Sequence, residues 1–141
     1  MFIPATPTTP LVRFSKEELT LEIIGRSIPE DAMDFYKPVF GLLRNSENRV
    51  YKTLKVVFQL EYFNTHSSRV LLDILKALEK LKDLGMIVNT FWVCDEDDEE
   101  IIHFGEDIKG LIQVPMEITL LDEDKYDERI QRANWQSKVQ I

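Results

Sequence analysis

Apolar and polar residues alternate along the first part of this chain with a period of two, the repeat of a strand buried on one face. Residues 19–23 show this pattern, residues 11–14 are predicted to form a short strand, and the polar residues 15–18 between them are typical of a turn. The two segments therefore predict an antiparallel hairpin. Gly25 is expected to end the second strand, and residues 1–10, rich in threonine and proline, are expected to extend over the surface.

Three later segments follow the helical period of about 3.6 residues. The first begins near Pro29, which suits a first helical turn, and the carboxylates of Glu30 and Asp31 complement the helix dipole there. The second, residues 67–83, has the clearest stripe and ends near Gly85. The stripes consist of Met33, Phe35, Tyr36, Val39, Phe40, Leu42 and Leu43; of Val70, Leu71, Ile74, Leu75, Leu78 and Leu81; and of Ile101, Ile102, Phe104, Ile108, Leu111 and Ile112.

Three apolar runs complete the predicted fold. Residues 54–63, 86–94 and 116–120 are rich in β-branched and aromatic side chains, which predicts buried strands. A polar loop is expected at residues 45–48, and Gly105 weakens the third helix by about 1 kcal/mol relative to alanine. The order of elements predicts a single α/β domain. It has a mixed, mostly parallel sheet, an N-terminal antiparallel hairpin, about three helices and right-handed crossovers.

The last part of the chain, residues 122–141, has a weaker pattern. Tyr126, Ile130 and Ala133 recur at helical spacing and could form a weak helix stripe among residues of mixed charge. Trp135 and Ile141 are expected to be exposed.

The composition limits which binding partners and which cellular compartment are expected for this protein. The 141 residues suit one domain, and the net charge of −8 argues against nucleic acid or an anionic membrane surface as the main partner. Cys94 is the single cysteine, so an internal disulfide is impossible and a reducing compartment is favoured. Neither a signal peptide nor an apolar run of roughly 18 residues is present, which favours a cytoplasmic protein.

Candidate enzyme chemistry is sparse. His103 could bind a metal with Glu99, Glu100 or Glu106, but the spacing fits no strong ligand signature. The acidic residues 95–100 could hold Mg²⁺ or Ca²⁺ through oxygen ligands, although they lack the glycine and spacing of an EF-hand. A solvated loop that favours the start of the third helix is the simpler interpretation, and a charged surface for a basic partner is another.

Residues 62–68, at the junction between a predicted strand and the clearest helix, carry the most specific signal. Asn64 or Thr65 is a suitable N-cap, whose loss costs about 1 kcal/mol. The hydroxyls of Thr65, Ser67 and Ser68 are also candidate phosphorylation sites, and Arg69 could help to hold a phosphate. A helix N-terminus tolerates the added negative charge. Composition alone favours simple capping over phosphorylation.

Several segments taken in order resemble the SiaC-type regulatory phosphoproteins, a bacterial family with a fold related to anti-sigma factor antagonists (STAS-like). The resemblance covers about residues 6–121. It consists of Thr9-Pro10, residues 25–30, residues 35–38, residues 62–68, Trp92, residues 95–97 and residues 105–107.

The resemblance implies a reversible switch and not an enzyme. The family's regulatory phosphoacceptor corresponds to Thr65, with Ser67 and Ser68 as secondary candidates. A serine/threonine kinase and a PP2C-type phosphatase are the implied partners, and the unphosphorylated form is expected to bind and activate a diguanylate cyclase, which raises cyclic di-GMP. No cofactor is implied. The surface around the phosphoacceptor is expected to include Tyr62, Asn64, His66, Ser67, Ser68 and Arg69, with the exposed face of residues 67–83 as the docking element.

The resemblance also sets the domain organisation and leaves alternatives open. Residues 1–121 are expected to form the STAS-like regulatory domain, and residues 122–141 a C-terminal extension. His66 stands where the family is expected to have a small polar residue. One alternative function is an adaptor that binds an anti-sigma factor and so controls transcription. The other is a small hydrolase or metal-binding enzyme that uses His103 and residues 95–100.

Overall fold

The structure is a computed structural model that describes residues 1–47 and 52–139. Asn48, in the predicted polar loop, and Ile141 lie outside these residues. Within them the chain forms six strands and four helices. The strands are β1 (Phe2–Ile3), β2 (Leu11–Ser15), β3 (Thr20–Ser27), β4 (Thr53–Phe63), β5 (Ile87–Asp95) and β6 (Met116–Leu121). The helices are α1 (Ala32–Asn45), α2 (Thr65–Asp83), α3 (Glu99–Leu111) and α4 (Glu123–Val139).

The described strands form one sheet in the order β1-β2-β3-β4-β5-β6. The pairs β1–β2 and β2–β3 are antiparallel, whereas β3–β4, β4–β5 and β5–β6 are parallel. The predicted α/β class, with its mostly parallel sheet and N-terminal hairpin, is confirmed. Two elements exceed the prediction: the short strand β1 lies in a segment expected to be extended, and the weak C-terminal stripe forms the full helix α4.

Gly25 does not end β3, and that prediction was wrong. The strand continues to Ser27 through an irregularity in the register between Gly25 and Arg26. Gly25 has a φ of +127°, which side chains rarely allow, so glycine permits the bulge that bends the strand without ending it. As a result, Ser27 still pairs with the last residue of β4, Phe63.

Helix α1 begins later than its proline suggested. Asp31 is the N-cap, and its side chain accepts a hydrogen bond of 3.1 Å from the backbone N–H of Asp34. Pro29 therefore precedes the helix and does not lie in its first turn. The helix also includes Asn45, which was expected to start the polar loop.

Helix α2 confirms the clearest predicted stripe, because all six of its predicted apolar residues are buried. It ends as a Schellman motif, in which the Met86 N–H donates to Leu81 O and the Gly85 N–H donates to Lys82 O, both at 3.0 Å. Gly85 has a φ of +105°, as this motif requires. None of the helices in the described part of the chain is long and apolar enough to cross a membrane.

The two faces of the sheet are covered differently. Helices α1, α2 and α3 pack on one face and form the main core with side chains such as Ile23, Phe58 and Trp92. Helix α4 packs on the other face, where Leu11 and Ile24 form a smaller apolar cluster with α4. The parallel strands β3, β4 and β5 lead into α1, α2 and α3, so these three helices all begin at the same edge of the sheet.

Candidate functional site

Thr65 is the first residue of α2, directly after the end of β4. The N-cap is Asn64, whose side-chain oxygen accepts a hydrogen bond of 2.9 Å from the Ser67 N–H. The Ser68 N–H donates to the Asn64 carbonyl at 3.0 Å. Asn64 therefore performs the capping role for which the sequence offered either Asn64 or Thr65. Thr65 is exposed, and its hydroxyl forms no hydrogen bond within the described residues.

Ser67 differs sharply from Thr65, because its side chain is fully buried. The Ser27 hydroxyl donates to Ser67 Oγ at 2.8 Å, and the Ser27 and Tyr36 hydroxyls are 2.7 Å apart. Ser27 has one hydroxyl proton, which it gives to Ser67, so Tyr36 is the donor to Ser27. This chain of three buried hydroxyls joins the end of β3, the second turn of α1 and the first turn of α2. Burial raises the pKa of Tyr36 to about 12, so the phenol stays protonated as this donor role requires.

The other predicted neighbours of Thr65 lie on the surface to different degrees. His66 and Arg69 are exposed, and Tyr62 is 54% exposed at the end of β4. Ser68 is half-buried, and its hydroxyl donates to the Thr65 carbonyl at 2.7 Å. Arg69 lies one helical turn after Thr65, at the spacing that brings two side chains together on a helix surface.

An aromatic cluster anchors the strand that presents this site. Phe63 packs against Phe104 and Trp92, with ring centroids 4.7 and 6.1 Å apart. The Trp92 ring donates from Nε1 to the Ile101 carbonyl at 2.9 Å, which ties β5 to α3. Gly105 lies against the same ring, and a Cβ on it would be 2.3 Å from Trp92 Cδ1. The glycine that appeared only to weaken α3 therefore makes room for the tryptophan.

The acidic residues 95–100 run from the end of β5 into the first turn of α3, at the same edge of the sheet as Thr65. Asp98 is the N-cap of α3 and accepts from the Ile101 N–H at 3.2 Å, and Glu99 and Glu100 occupy the first helical turn. The helix-start interpretation of the acidic run therefore has a structural basis. In the described chain, His, Cys, Asp and Glu side chains form no group of three or more that could hold a metal ion, and His103 is exposed on α3.

The lone cysteine, Cys94, is buried in the main core. Burial and then the nearby carboxylates of Asp98 and Glu106 raise the pKa of its thiol to about 12. The thiol is therefore protonated near neutral pH and is a poor nucleophile or metal ligand.

Sequence reasoning missed two members of the site, Ser27 and Tyr36. Ser27 is forty positions from Ser67 in sequence, and only the parallel pairing of β3 with β4 brings them together. The pattern placed Tyr36 correctly on the apolar stripe of α1. It did not identify Ser27 as the hydrogen-bond partner of the Tyr36 hydroxyl. A tyrosine on a predicted buried helix stripe was the available signal, since a buried hydroxyl needs a hydrogen-bond partner.

The fold and the site define a small α/β domain whose candidate site is an exposed hydroxyl at a capped helix start. This chain belongs to the SiaC family regulatory phosphoproteins, because the profile of that family matches residues 3–121. The family predicted from the ordered motifs is thus confirmed.

Individual proteins with this similarity come from Pseudomonas aeruginosa. An uncharacterized protein of strain UCBPP-PA14 is 26% identical over 123 residues, which are 87% of this chain and 98% of that protein. The crystal structure of the diguanylate cyclase SiaD in complex with its activator SiaC contains a chain that is 25% identical, with a TM-score of 0.80 over 86% of this chain and 99% of that one. Apo-SiaC is 24% identical, with a TM-score of 0.77 over 84% of this chain and 97% of that chain, and shares the fold.

Proposed function

We propose that this chain is a non-catalytic signalling regulator whose unphosphorylated form binds and activates a diguanylate cyclase. The observation that carries the proposal is its similarity, over 86% of its length, to an activator solved together with its cyclase. The relevant second messenger is then cyclic di-GMP. Because the cyclase and the kinase consume nucleoside triphosphates, the regulator acts in the cytoplasm in this proposal. The nucleotides belong to those two enzymes, and the regulator itself needs no cofactor.

Thr65 is the proposed phosphoacceptor. Its hydroxyl is exposed and unbonded among the described residues, whereas the hydroxyl of Ser67 is fully buried and that of Ser68 is half-buried and bonded to a helix carbonyl. A kinase can therefore reach Thr65 without opening α2. A serine/threonine kinase adds the phosphate in this proposal, and a PP2C-type phosphatase removes it.

The folded domain can accept the phosphate without unfolding. The phosphate adds about −1.5 to −2 charges next to the positive end of the α2 dipole. The backbone N–H groups of Ser67 and Ser68 already donate hydrogen bonds to Asn64, so the phosphate need not break these bonds. Arg69, one turn further on, is placed to form a charge-assisted hydrogen bond with it.

The switch then acts on the partner and not on the fold. The proposed docking element is the exposed face of α2, on which Thr65, Arg69 and Lys76 lie opposite the buried stripe. A phosphate within a docked surface must be desolvated and set against the partner's charges, which can cost several kcal/mol. Since about 1.4 kcal/mol is a tenfold change in affinity, this is enough to release a partner.

Affinity purification followed by an activity assay tests the proposal. The tagged Thr65→Ala chain, which stays unphosphorylated, is expected to co-purify with a diguanylate cyclase from its own cells. Adding the unmodified chain to that cyclase and GTP should raise cyclic di-GMP production, and the chain phosphorylated by its kinase should raise it much less.

A matched pair of charge reversals locates the docking face. Arg69→Glu should weaken activation, whereas Lys138→Glu makes the same charge change on α4, beyond the other face of the sheet, and should leave it unchanged. Recovery of an anti-sigma factor in place of a cyclase would overturn the cyclase proposal and support the adaptor alternative. Equal activation by both phosphorylation states would overturn the switch.

A further inference from the structure

Helices α1 and α2 border an open groove on the outer surface of the domain, with a volume of about 570 Å³. Residues of α1 form most of its wall, and Asp73 of α2 lies on the opposite side. The α1 residues Met33, Lys37, Phe40 and Arg44 follow one another at intervals of four, three and four positions. This spacing places them in a single stripe along the helix, so the groove follows the axis of α1.

Two apolar side chains in this stripe are incompletely covered by the rest of the described chain. Met33 is 52% exposed, and Phe40 is half-buried at the margin of the main core. They are two helical turns apart, which corresponds to about 10 Å along the axis. The apolar residues of an amphipathic helix repeat at the same distance, so such a helix lying along the groove could cover both side chains.

The charge of these two helices differs from that of the rest of the chain. Together α1 and α2 contain six lysines and arginines and four carboxylates, an excess of two positive charges in a chain of net charge −8. Helix α3, on the same face of the sheet, contains four carboxylates and one lysine. Lys37, Arg44 and Lys76 are exposed and form no ion pair with any described residue. Charge complementarity therefore favours an acidic partner at α1 and α2.

The groove is continuous with the docking face proposed for α2. Asp73, on the groove wall, lies between Arg69 and Lys76 in the sequence of that helix. Helices α1 and α2 begin at the same edge of the sheet, and Thr65 lies in the first turn of α2. A phosphate on Thr65 adds about −1.5 to −2 charges, which is close to the positive excess of the two helices. Phosphorylation would thus remove much of the attraction for an acidic partner.

We propose that the groove between α1 and α2 binds an acidic amphipathic helix of the diguanylate cyclase. The apolar residues of that helix cover Met33 and Phe40, and its carboxylates meet Lys37 and Arg44. Asp34 lines the groove where α1 begins, so the partner's carboxylates lie further along α1. The identity of the partner rests on the proposed function. The groove adds α1 to the docking surface and defines the chemistry of the segment that binds there.

Binding of the full-length, unphosphorylated chain to its cognate cyclase, measured by calorimetry, tests both parts of this chemistry. Met33→Ser removes an apolar anchor and Arg44→Glu reverses a charge, and each should weaken binding by at least about tenfold. Leu111→Ser on α3 and Lys16→Glu in the turn between β2 and β3 are the matched controls, and both should bind like the wild type. Added salt should weaken the wild-type complex more than the Arg44→Glu complex. Circular dichroism verifies that the four variants are folded.

Photo-crosslinking identifies the segment that occupies the groove. The crosslinking residue p-benzoylphenylalanine in place of Met33 should attach to one cyclase segment, which has apolar residues at helical spacing and more carboxylates than cations. The same residue in place of Leu111 should not attach. A crosslink to a basic segment or to a second copy of this chain would overturn the proposal, as would wild-type affinity in either Met33→Ser or Arg44→Glu.

The wild-type chain separates this proposal from the proposed function. If it activates the cyclase while the groove variants bind normally, the groove is refuted and the proposed function stands. If the wild-type chain neither binds nor activates a cyclase, the proposed function is refuted, and the groove proposal fails with it because its occupant is the cyclase.

Discussion

The Ser27 hydroxyl at the end of β3 donates a hydrogen bond of 2.8 Å to the hydroxyl of Ser67 in the first turn of α2. Tyr36 of α1 completes the chain, and all three side chains are fully buried. The first turn of α2, which carries Thr65, is therefore held by buried hydrogen bonds that link it to β3 and α1. The position of the proposed phosphoacceptor therefore depends on packing in the core and not on the conformation of a loop.

Replacing Ser67 by alanine tests this support. The substitution leaves the Ser27 hydroxyl without its acceptor in a buried site, so we expect a loss of about 1–3 kcal/mol in the free energy of unfolding. Ser68→Ala is the matched control, because that hydroxyl is half-buried and can be replaced by water, and its effect should stay within about 0.5 kcal/mol. Urea unfolding followed by circular dichroism measures both values. Equal losses in the two variants would contradict a special role for the buried hydroxyl.

Gly105 and Gly110 form a second matched pair in α3. Alanine at either position gains up to about 1 kcal/mol of helix propensity. At Gly105 the new Cβ would lie 2.3 Å from Trp92 Cδ1, whereas at Gly110 it meets nothing within 4 Å among the described atoms. We therefore expect Gly105→Ala to destabilise by about 1–3 kcal/mol net, through overpacking, and Gly110→Ala to be neutral or stabilising. Thermal or urea unfolding checks the sign, and a stabilising Gly105→Ala would contradict the proposed packing.

Gly25 and Gly105 have roles that local sequence patterns did not predict. Local patterns predicted the parallel strands and α2 because the periodicity of each is complete within its own segment. Gly25 and Gly105 were interpreted through local propensity, as a strand end and a weak helix position. The structure uses Gly25 for a bulge in the pairing of β3 with β4, and Gly105 for close packing against Trp92. Such a partner is not visible in a local pattern.

The candidate site divides in the same way. The position of Thr65 and its cap at Asn64 follow from residues next to each other, so the junction could be predicted. The support from Ser27 and Tyr36 depends on the pairing of β3 with β4 and on the packing of α1 over them. Helix α4 was only weakly indicated because its buried stripe is narrow and part of its contact with the sheet is polar, such as the hydrogen bond from Arg129 Nε to Gln59 Oε1.

Alkaline pH should reveal the buried phenol. Burial raises the pKa of Tyr36 from 10.0 to about 12, so the folded state favours the protonated form. Its contribution to stability is complete below about pH 10 and is lost as the pH rises towards about 12, by at most about 1.4 kcal/mol per pH unit. Tyr36→Phe removes this dependence, whereas Cys94 and Tyr126, whose pKa values burial also raises, contribute equally in both chains. Unfolding measured at about pH 8 and about pH 11 should show a smaller fall for the variant, and identical falls would contradict it.

Substitutions at residues 65, 67 and 68 distinguish the phosphoacceptor from its neighbours. We expect Thr65→Ala to abolish phosphorylation by the cognate kinase, since the exposed hydroxyl is lost, and Ser68→Ala to leave it nearly unchanged. Ser67→Ala should reduce the rate only as far as it loosens the helix start, with the phosphate still on Thr65. Peptide mass spectrometry locates the modification in each chain.

Binding measurements connect that chemistry to the switch. Thr65→Ala should retain the target affinity of the unmodified chain, because it keeps the surface uncharged. Thr65→Asp should weaken binding only in part, since one carboxylate carries less charge than a phosphate and lacks its third oxygen. The fully phosphorylated chain should bind most weakly. Phosphate found mainly outside residues 65–68 would refute the assignment of Thr65, whereas phosphate on Thr65 with unchanged target affinity would keep the site and remove its regulatory role.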